Sequence, residues 1–221
     1  MTDNSNQLIT PAQFIALLNR VGDAIEAEKG WLSDLDGVIG DGDHGVTMSI
    51  GWTAVHEALA ALGPDKSCTD ICNTAAKAFL NAVGASAGPL YATAFMRGGA
   101  ALKGKDKIDA AGMVAFIEGA SQGIRDRGKA DLGDKTMVDA WMPAVDAAKA
   151  ALAEGKSLSE CLKAAAAGAE TGMKATAQLT AKKGRSSKLG ERSLGHMDPG
   201  AASTFITLRT LAQATAELVA K

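Results

Sequence analysis

The sequence predicts an all-α protein, and two observations carry this expectation. Alanine and leucine dominate the apolar residues, whereas the 221 residues include only three Trp, one Tyr and five Phe. Alanine and straight-chain residues favour helix, while β-branched and aromatic residues favour strand. Apolar residues also recur every three or four positions, which is the spacing of one helix face. We therefore expect about eight amphipathic helices in a single domain spanning residues 1–221.

The helices are predicted from their boundary residues and apolar stripes. Thr10 suits an N-cap, Pro11 suits the first turn, and Gly30 is expected to end this first helix. Its apolar stripe consists of Phe14, Leu17, Leu18, Val21 and Ile25. Residues 33–45 are rich in Asp and Gly and lose the period, so they are predicted to be irregular. Further helices are predicted at about 46–62 (ended by Gly63-Pro64), 69–82, from the loop 83–89 through Met96, and at 109–124, 137–153, 158–181 and 201–220.

Two irregular stretches, 127–136 and 182–200, interrupt the helical pattern and are dense in Gly, Lys, Arg and Asp. Loops longer than about 12 residues in a compact domain are usually functional or disordered. Because these two carry chemically specific residues, we expect both to be functional.

The strongest functional signal is a group of three carboxylates separated by glycines: Asp36, Asp41 and Asp43. At about 5 Å and an effective dielectric constant of about 20, each pair repels by about 3 kcal/mol, which calls for a cation, raised pKa values or solvent separation. Glycines permit tight turns that let the side chains converge. Carboxylate oxygens select Mg²⁺, Mn²⁺ or Ca²⁺, and so few ligands suit Mg²⁺, which also takes water and substrate phosphates. A turn with solvated carboxylates is the alternative.

Three further places are candidates for binding phosphate. The small residues 84–89 open a helix, whose free N–H groups and dipole favour an anion, although a close helix–helix contact also explains them. The segment 182–192 is basic, which suits polyphosphate or an ordinary exposed loop. We expect His44 to hydrogen-bond a phosphate or a carboxylate and not to bind metal, with a turn-capping role as the alternative.

The stretch 127–137 offers apolar side chains for a purine ring. Leu132 and Met137 are adaptable enough to contact a flat base. A solvated turn that starts a helix is the ordinary alternative.

Composition argues against several other classes of protein. The net charge of −2 gives no basic footprint for nucleic acid. No apolar run approaches the roughly 20 residues that cross a bilayer, and the polar start Met1–Gln7 has no signal-peptide pattern. The three cysteines, Cys68, Cys72 and Cys161, are an odd number that suggests reduced thiols. We therefore expect a cytoplasmic protein that is not inserted in a membrane.

Taken in order, these motifs resemble the L subunit of bacterial dihydroxyacetone kinases and the C-terminal domain of the single-chain enzymes. The stretches that carry the resemblance are 35–45, 83–90, 127–137 and 183–200. The resemblance implies a barrel or bundle of about eight antiparallel helices, with the nucleotide site at one end. It also implies that Mg²⁺ and ADP or ATP are bound there.

The resemblance assigns roles to individual residues. Asp36, Asp41 and Asp43 are implied to hold magnesium on the nucleotide phosphates. Arg185 is implied to contact the phosphates and is the candidate for stabilising the transferring group. The other residues expected at the nucleotide are His44, Gly45, Val46, Thr47, Ser86, Ala87, Gly128, Met137, Asp198, Pro199 and Gly200.

Two departures from the family pattern concern the nucleotide loops. The family usually has Asn where this chain has Thr47. It usually has Gly-Gly-x-Ser-Gly-Pro where this chain reads Gly-Ala-Ser-Ala-Gly-Pro over 84–89, so the serine has moved by one position to Ser86 and the second glycine is Ala85.

The function implied by the resemblance is phosphoryl transfer to dihydroxyacetone, or a related short ketose, held on a separate K-type subunit. We favour ADP as a retained cofactor that a phosphotransferase-system carrier, an M-type subunit, rephosphorylates. The alternatives are the L subunit of an ATP-dependent ketose kinase, for example for erythrulose, and a Mg-ADP-binding regulatory module without chemistry.

Overall fold

The computed structural model describes residues 7–63, 65–84 and 86–219, and within them the chain forms nine α-helices. Two 3-10 helices, Thr176–Gln178 and Arg185–Ser193, lie between α8 and α9, and the second is kinked at Gly190. The α-helices are α1 (Pro11–Ala27), α2 (Lys29–Ile39), α3 (His44–Ala60), α4 (Cys68–Ala82), α5 (Ala87–Ala101), α6 (Ala110–Gly128), α7 (Val138–Ala153), α8 (Leu158–Ala175) and α9 (Pro199–Val219).

Eight of these helices close into a barrel. From α3 to α9 each helix packs against the next, and α1 packs against both α9 and α3, so the ring is complete without α2. The ninth helix, α2, contacts α1, α3 and α9. The predicted all-helical barrel is therefore confirmed, with one helix more than the expected number.

Apolar side chains from every helix of the ring fill the barrel. Phe14 of α1 meets Phe116 of α6 edge to face, with ring centroids 5.5 Å apart. Phe79 of α4 stacks on Tyr91 of α5 at 4.7 Å. Such aromatic pairs contribute about 0.5–1.5 kcal/mol beyond their buried area. The first pair links helices that are distant in sequence, and the second links two consecutive helices.

Two pairs of neighbouring helices approach backbone to backbone. A Cβ added at Gly172 of α8 would collide with the carbonyl oxygen of Asp139 on α7. A Cβ at Gly123 of α6 would lie 2.8 Å from the carbonyl oxygen of Thr93 on α5. Glycine is the residue that permits such contact, so these positions fix the distance between the helices.

Helix α2 corrects the prediction that residues 33–45 are irregular and that Gly30 ends the first helix. The first helix ends at Ala27, and Gly30 lies inside α2. Leu32 and Ile39 are buried, and Trp31 and Leu35 pack on the core, so the segment has helical spacing after all. The prediction gave more weight to the Asp and Gly content of residues 33–45 than to the helical spacing of their apolar residues.

Some boundaries also differ from those predicted. Helix α8 ends at Ala175 and not near residue 181, and part of the stretch expected to be irregular is the 3-10 helix Arg185–Ser193. The predictions that rest on residues 1–6, Pro64 and Ala85 lie outside the described residues. Among the helices described, none is long and apolar enough to cross a bilayer.

Candidate functional site

A cleft of about 800 Å³ opens at one end of the barrel, and helix ends form its wall. The N-terminal residues of α3, α5, α7 and α9 line it, together with the C-terminal residues of α4 and α6. Successive helices of the ring therefore run in alternating directions, and every second N-terminus points to the same place.

Almost all of the residues predicted for the site line this cleft. Besides the three aspartates they are His44, Thr47, Ser86, Ala87, Gly128, Met137, Arg185, Asp198, Pro199 and Gly200. Gly45 and Val46 do not line it: Gly45 packs against Lys29 of α2, and Val46 is 44% exposed. The sequence thus predicts which residues converge, while their roles as ligands stay predictions.

The three aspartates lie at the junction of α2 and α3. Asp36 lies in the last turn of α2, Asp41 in the following loop, and Asp43 at the N-cap of α3. One carboxylate oxygen from each lies within 4.8 Å of the others. Gly42, with φ of 77°, makes the turn that allows this convergence.

Asp36 also fixes the start of α3. Its Oδ2 accepts hydrogen bonds from the N–H groups of Asp43, at 3.0 Å, and His44, at 3.2 Å. A Cβ at Gly40 would collide with the Asp36 carboxylate, so glycine makes room for it. Asp36 is half-buried, whereas Asp41 and Asp43 are exposed to the cleft.

The donors in this cluster fit a hard divalent cation. All of them are carboxylate oxygens, which Mg²⁺ prefers, and three protein ligands leave room for water and phosphate oxygens. The Arg185 guanidinium lies against the carboxylates of Asp41 and Asp43, at 3.3 Å from the latter. A cation held by these carboxylates would compete with Arg185 for Asp41 and Asp43, and the guanidinium would then be available to an anion.

Three of the four helix N-termini at the cleft differ from those elsewhere in the barrel, while α9 is capped by Asp198. At the starts of α1, α4, α6 and α8 the N-cap side chain accepts a backbone hydrogen bond. At α3, α5 and α7 the N-cap residue, which is Asp43, Ser86 or Met137, makes no such bond. At α3 the Asp36 carboxylate accepts the N–H groups of Asp43 and His44, and at α7 Thr136 Oγ1 accepts that of Val138. The remaining N–H groups of these first turns, and the partial positive charge of the helix starts, suit a phosphate.

The side chain of His44 is used within the protein. Its Nε2 lies 3.0 Å from Ser203 Oγ, which is also 3.3 Å from Tyr91 Oη. Burial lowers the pKa of His44 to about 4, against the opposing charge of Asp36, so the ring is neutral at pH 7. His44 thus links α3 to α9 through its ring, while its backbone N–H donates to Asp36 Oδ2.

One wall of the cleft is apolar. Leu90, Ile124, Met137 and Val138 line it, and Met137 and Val138 are almost fully buried. A Cβ at Gly128 would lie 3.2 Å from Leu90, so glycine keeps this wall flat. Leu132, also expected at the base, does not line the cleft and is 57% exposed. A flat apolar wall beside polar helix ends is suited to a planar base attached to phosphates.

Comparison with known proteins places the chain in a family. The DAK2 domain matches residues 38–213, which is most of the chain. The chain belongs to the DAK2 domain family. The chain is 36% identical, over 209 residues, to the ADP-binding subunit DhaL of PEP-dependent dihydroxyacetone kinase from Escherichia coli K12. The match covers 95% of the chain and 99% of that relative.

A second relative and a solved structure agree with the assignment. The ADP-binding subunit DhaL of PEP-dependent dihydroxyacetone kinase 1 from Listeria innocua is 39% identical over 196 residues, which cover 89% of the chain and 92% of that relative. The dihydroxyacetone kinase of C. freundii, solved with AMP-PNP and Mg²⁺, superposes with a TM-score of 0.69 at 24% identity. That match covers 96% of this chain but 36% of the longer C. freundii chain, and it supports the fold.

Asp198 was predicted at the site, but its environment was not. Its Oδ2 accepts the N–H of Ala201 at 2.8 Å, which caps α9, and its own N–H donates to Thr176 Oγ1 at 2.9 Å. Burial raises the pKa of Asp198 to about 7, with Asp139 adding to the shift and Lys135 opposing it. Asp198 therefore joins the end of α8 to the start of α9 within the DAK2 domain.

The sequence analysis missed Lys135. It has a positive φ of 59° and its side chain is only 1% exposed, although it sits in an Asp- and Gly-rich turn that reads as solvated. Its Nζ donates to three backbone carbonyl oxygens, of Thr176, Ser193 and His196. A lysine in such a turn gives no sequence signal of burial, because its partners lie 41 to 61 residues away.

Proposed function

We propose that this chain is the nucleotide-binding subunit of a dihydroxyacetone-type kinase. It passes a phosphoryl group from a magnesium-bound adenine nucleotide to dihydroxyacetone, or a related short ketose, held on a separate K-type subunit. The observation that carries the proposal is the convergence of three carboxylates and four helix N-termini on one cleft. Similarity over nearly the full length of ADP-binding subunits supports it.

Different groups of the cleft bind the metal, the phosphates and the base. Asp36, Asp41 and Asp43 hold magnesium, which supplies positive charge beside the phosphate oxygens. The start of α5, together with the first-turn N–H groups of α3 that Asp36 does not accept, donates to the same phosphates. The apolar wall around Met137 receives the adenine ring.

Arg185 is the residue that we assign to the transferring group. Its side chain is 57% exposed at the cleft and contacts the aspartate cluster. Its guanidinium can therefore move to bind the phosphoryl oxygens as negative charge develops on them. A guanidinium can donate two parallel hydrogen bonds to such oxygens. Because that charge is spread over the oxygens in the transition state, the contact lowers the barrier to transfer.

A partner must complete the reaction under this proposal. We infer that ADP is retained and is rephosphorylated by a phosphotransferase-system carrier, the M-type subunit, as the names of the PEP-dependent relatives support. The reaction is then cytoplasmic, in agreement with three buried cysteines that form no disulfide.

Calorimetry tests the nucleotide site first. We expect ADP to bind with Mg²⁺ and to bind much more weakly with the metal chelated. Equal binding in both conditions rejects the metal-dependent site. Incubation with a K-type subunit, ketose and ATP, but without a phosphoryl carrier, then tests the retained cofactor: multiple turnovers favour the ATP-dependent ketose kinase, whereas ADP binding without any transfer favours the regulatory module.

A further inference from the structure

The ammonium group of Lys135 is saturated by backbone carbonyl oxygens. Its Nζ donates to Thr176 O at 2.7 Å, to Ser193 O at 2.8 Å, and to His196 O. An ammonium has three protons, so each has an acceptor and none is left for a ligand. Lys135 lines the cleft, yet it is not free to bind a phosphate.

The three acceptors bracket the segment that carries two of the site residues. Thr176 follows the end of α8, Ser193 ends the second 3-10 helix, and His196 lies in the turn before α9. Arg185 lies between the first two acceptors, and Asp198 follows the last. One side chain from the α6–α7 loop therefore fastens both ends of the 176–198 segment.

The surroundings of Lys135 support a fixed position. Burial lowers its pKa, while the charges of Asp198 and Asp139 act in the opposite direction. Asp139 Oδ1 and Oδ2 accept the N–H groups of Gly133 and Thr136, at 2.6 and 2.8 Å, so the turn that holds Lys135 is itself tied to α7. The lysine is thus anchored at both its backbone and its ammonium.

We infer that Lys135 is a positioning residue that fastens the 176–198 segment, and with it Arg185, over the cleft without contacting the nucleotide. This inference rests on the proposed function for the consequence at Arg185. The fastening itself follows from the hydrogen bonds alone. Removing the ammonium leaves three carbonyl oxygens without their donor, which favours local opening of the segment.

Limited trypsin digestion measures that opening directly. The segment contains Lys182, Lys183, Arg185, Lys188 and Arg192 as cleavage sites. In Lys135→Met we expect these sites to be cut roughly tenfold faster or more, while the rest of the barrel resists. Lys129→Met is the matched control, because it makes the same chemical change at an exposed lysine of the same loop and should leave cleavage unchanged.

Kinetics separate positioning from direct binding. The aspartate cluster belongs to α2 and α3, outside the fastened segment. We therefore expect Lys135→Met to lower kcat by about tenfold while the Kd for Mg-ADP changes by less than about threefold. Unchanged cleavage with a larger loss in Kd than in kcat means a direct phosphate contact and overturns the inference, as does a variant that matches the wild type throughout.

Two measurements do not depend on substituting Lys135. Ser193→Ala removes a hydroxyl that accepts Ala181 N–H at 2.9 Å and donates to Gly190 O at 2.7 Å, so it loosens the same segment without changing Lys135 and should speed the same cleavages. Faster cleavage in this variant supports the inference, and unchanged cleavage in both this variant and Lys135→Met overturns it.

Amine acetylation of the unmodified protein, read by mass spectrometry, tests the lysine itself. Lys135 should stay unlabelled both without nucleotide and with Mg-ADP, while Lys129 is labelled in both. Labelling of Lys135 that Mg-ADP suppresses would show a free ammonium at the phosphates and refute the inference. Proteolysis and labelling measure how firmly the 176–198 segment is held even if the chain binds no nucleotide. Failure of the proposed function can therefore be told apart from failure of this inference.

Discussion

Asp43→Asn is the sharpest test of the metal assignment. Asp43 is the N-cap of α3 but its side chain makes no capping bond, and that side chain is 55% exposed. Asparagine has nearly the same shape and is also a favourable N-cap residue. The substitution therefore removes one negative charge from the cluster while the fold is expected to persist.

The size of the effect follows from the charge removed. At about 4 Å, and at the dielectric constant of about 80 that suits an exposed group, a divalent ion loses about 2 kcal/mol of attraction. Repulsion among the three carboxylates is present with and without metal, so its change does not affect the affinity. Asp43 also pairs with Arg185, and metal binding breaks this exposed pair in the wild type. Because the variant lacks the pair, this offsets at most about 1 kcal/mol of the lost binding free energy. The net loss corresponds to roughly tenfold weaker binding of Mg-ADP.

Calorimetry of ADP binding with Mg²⁺, and again with the metal chelated, provides the assay. The loss should occur only with Mg²⁺. Asp34→Asn is the control, because Asp34 is an exposed residue of α2 that does not line the cleft, and it removes the same charge. An equal loss in both conditions, or no loss in either Asp43→Asn or Asp41→Asn, would refute the reasoning.

Three other predictions concern turnover, pH and packing. Arg185→Ala should lower kcat more than it weakens nucleotide binding, and the opposite pattern in kinetics and calorimetry would mean that Arg185 only anchors the nucleotide. Burial raises the pKa of Asp198 to about 7 from 3.8, so the folded state holds this proton more tightly and stability falls as the pH rises between those values. In urea unfolding Asp198→Asn should show a smaller fall over that range, and identical pH profiles would contradict this. Gly172→Ala should destabilise the protein by about 1–3 kcal/mol through collision with Asp139, whereas Gly30→Ala, with open space around it, should stabilise it by up to about 1 kcal/mol. A stabilised Gly172→Ala variant in the same denaturation series would show that α7 and α8 can separate.

The sequence predicts most of the site because its signals are local. Three carboxylates and four glycines within residues 36–45 specify a tight acidic turn that does not depend on contacts distant in sequence. Val46 was expected at the phosphates from the family resemblance. Helix α3 has already begun at His44, however, and successive residues of a helix turn by about 100°. His44 and Thr47 therefore face the cleft, while Val46 faces away.

What could not be predicted depends on contacts that are distant along the chain. The burial of Lys135 is set by carbonyl oxygens beyond α8, and nothing in its own turn specifies them. Closure of the barrel requires α1 to meet both α3 and α9, which helical periodicity does not specify. That expectation came from the family resemblance, and the structure supplies its physical basis.

The capped helix starts have a consequence for engineering. The bridge between Ile9 and Ile108 places the starts of α1 and α6 at the same end, opposite the cleft. The connections 102–109 and 154–157 lie at that end, and the side chains of Asp109 and Ser157 satisfy the adjoining helix starts locally. A fluorescent reporter or affinity tag inserted ahead of either cap, at about 103–106 or 154–155, should leave nucleotide chemistry intact. The barrel thus offers attachment points that are insulated from its ligand.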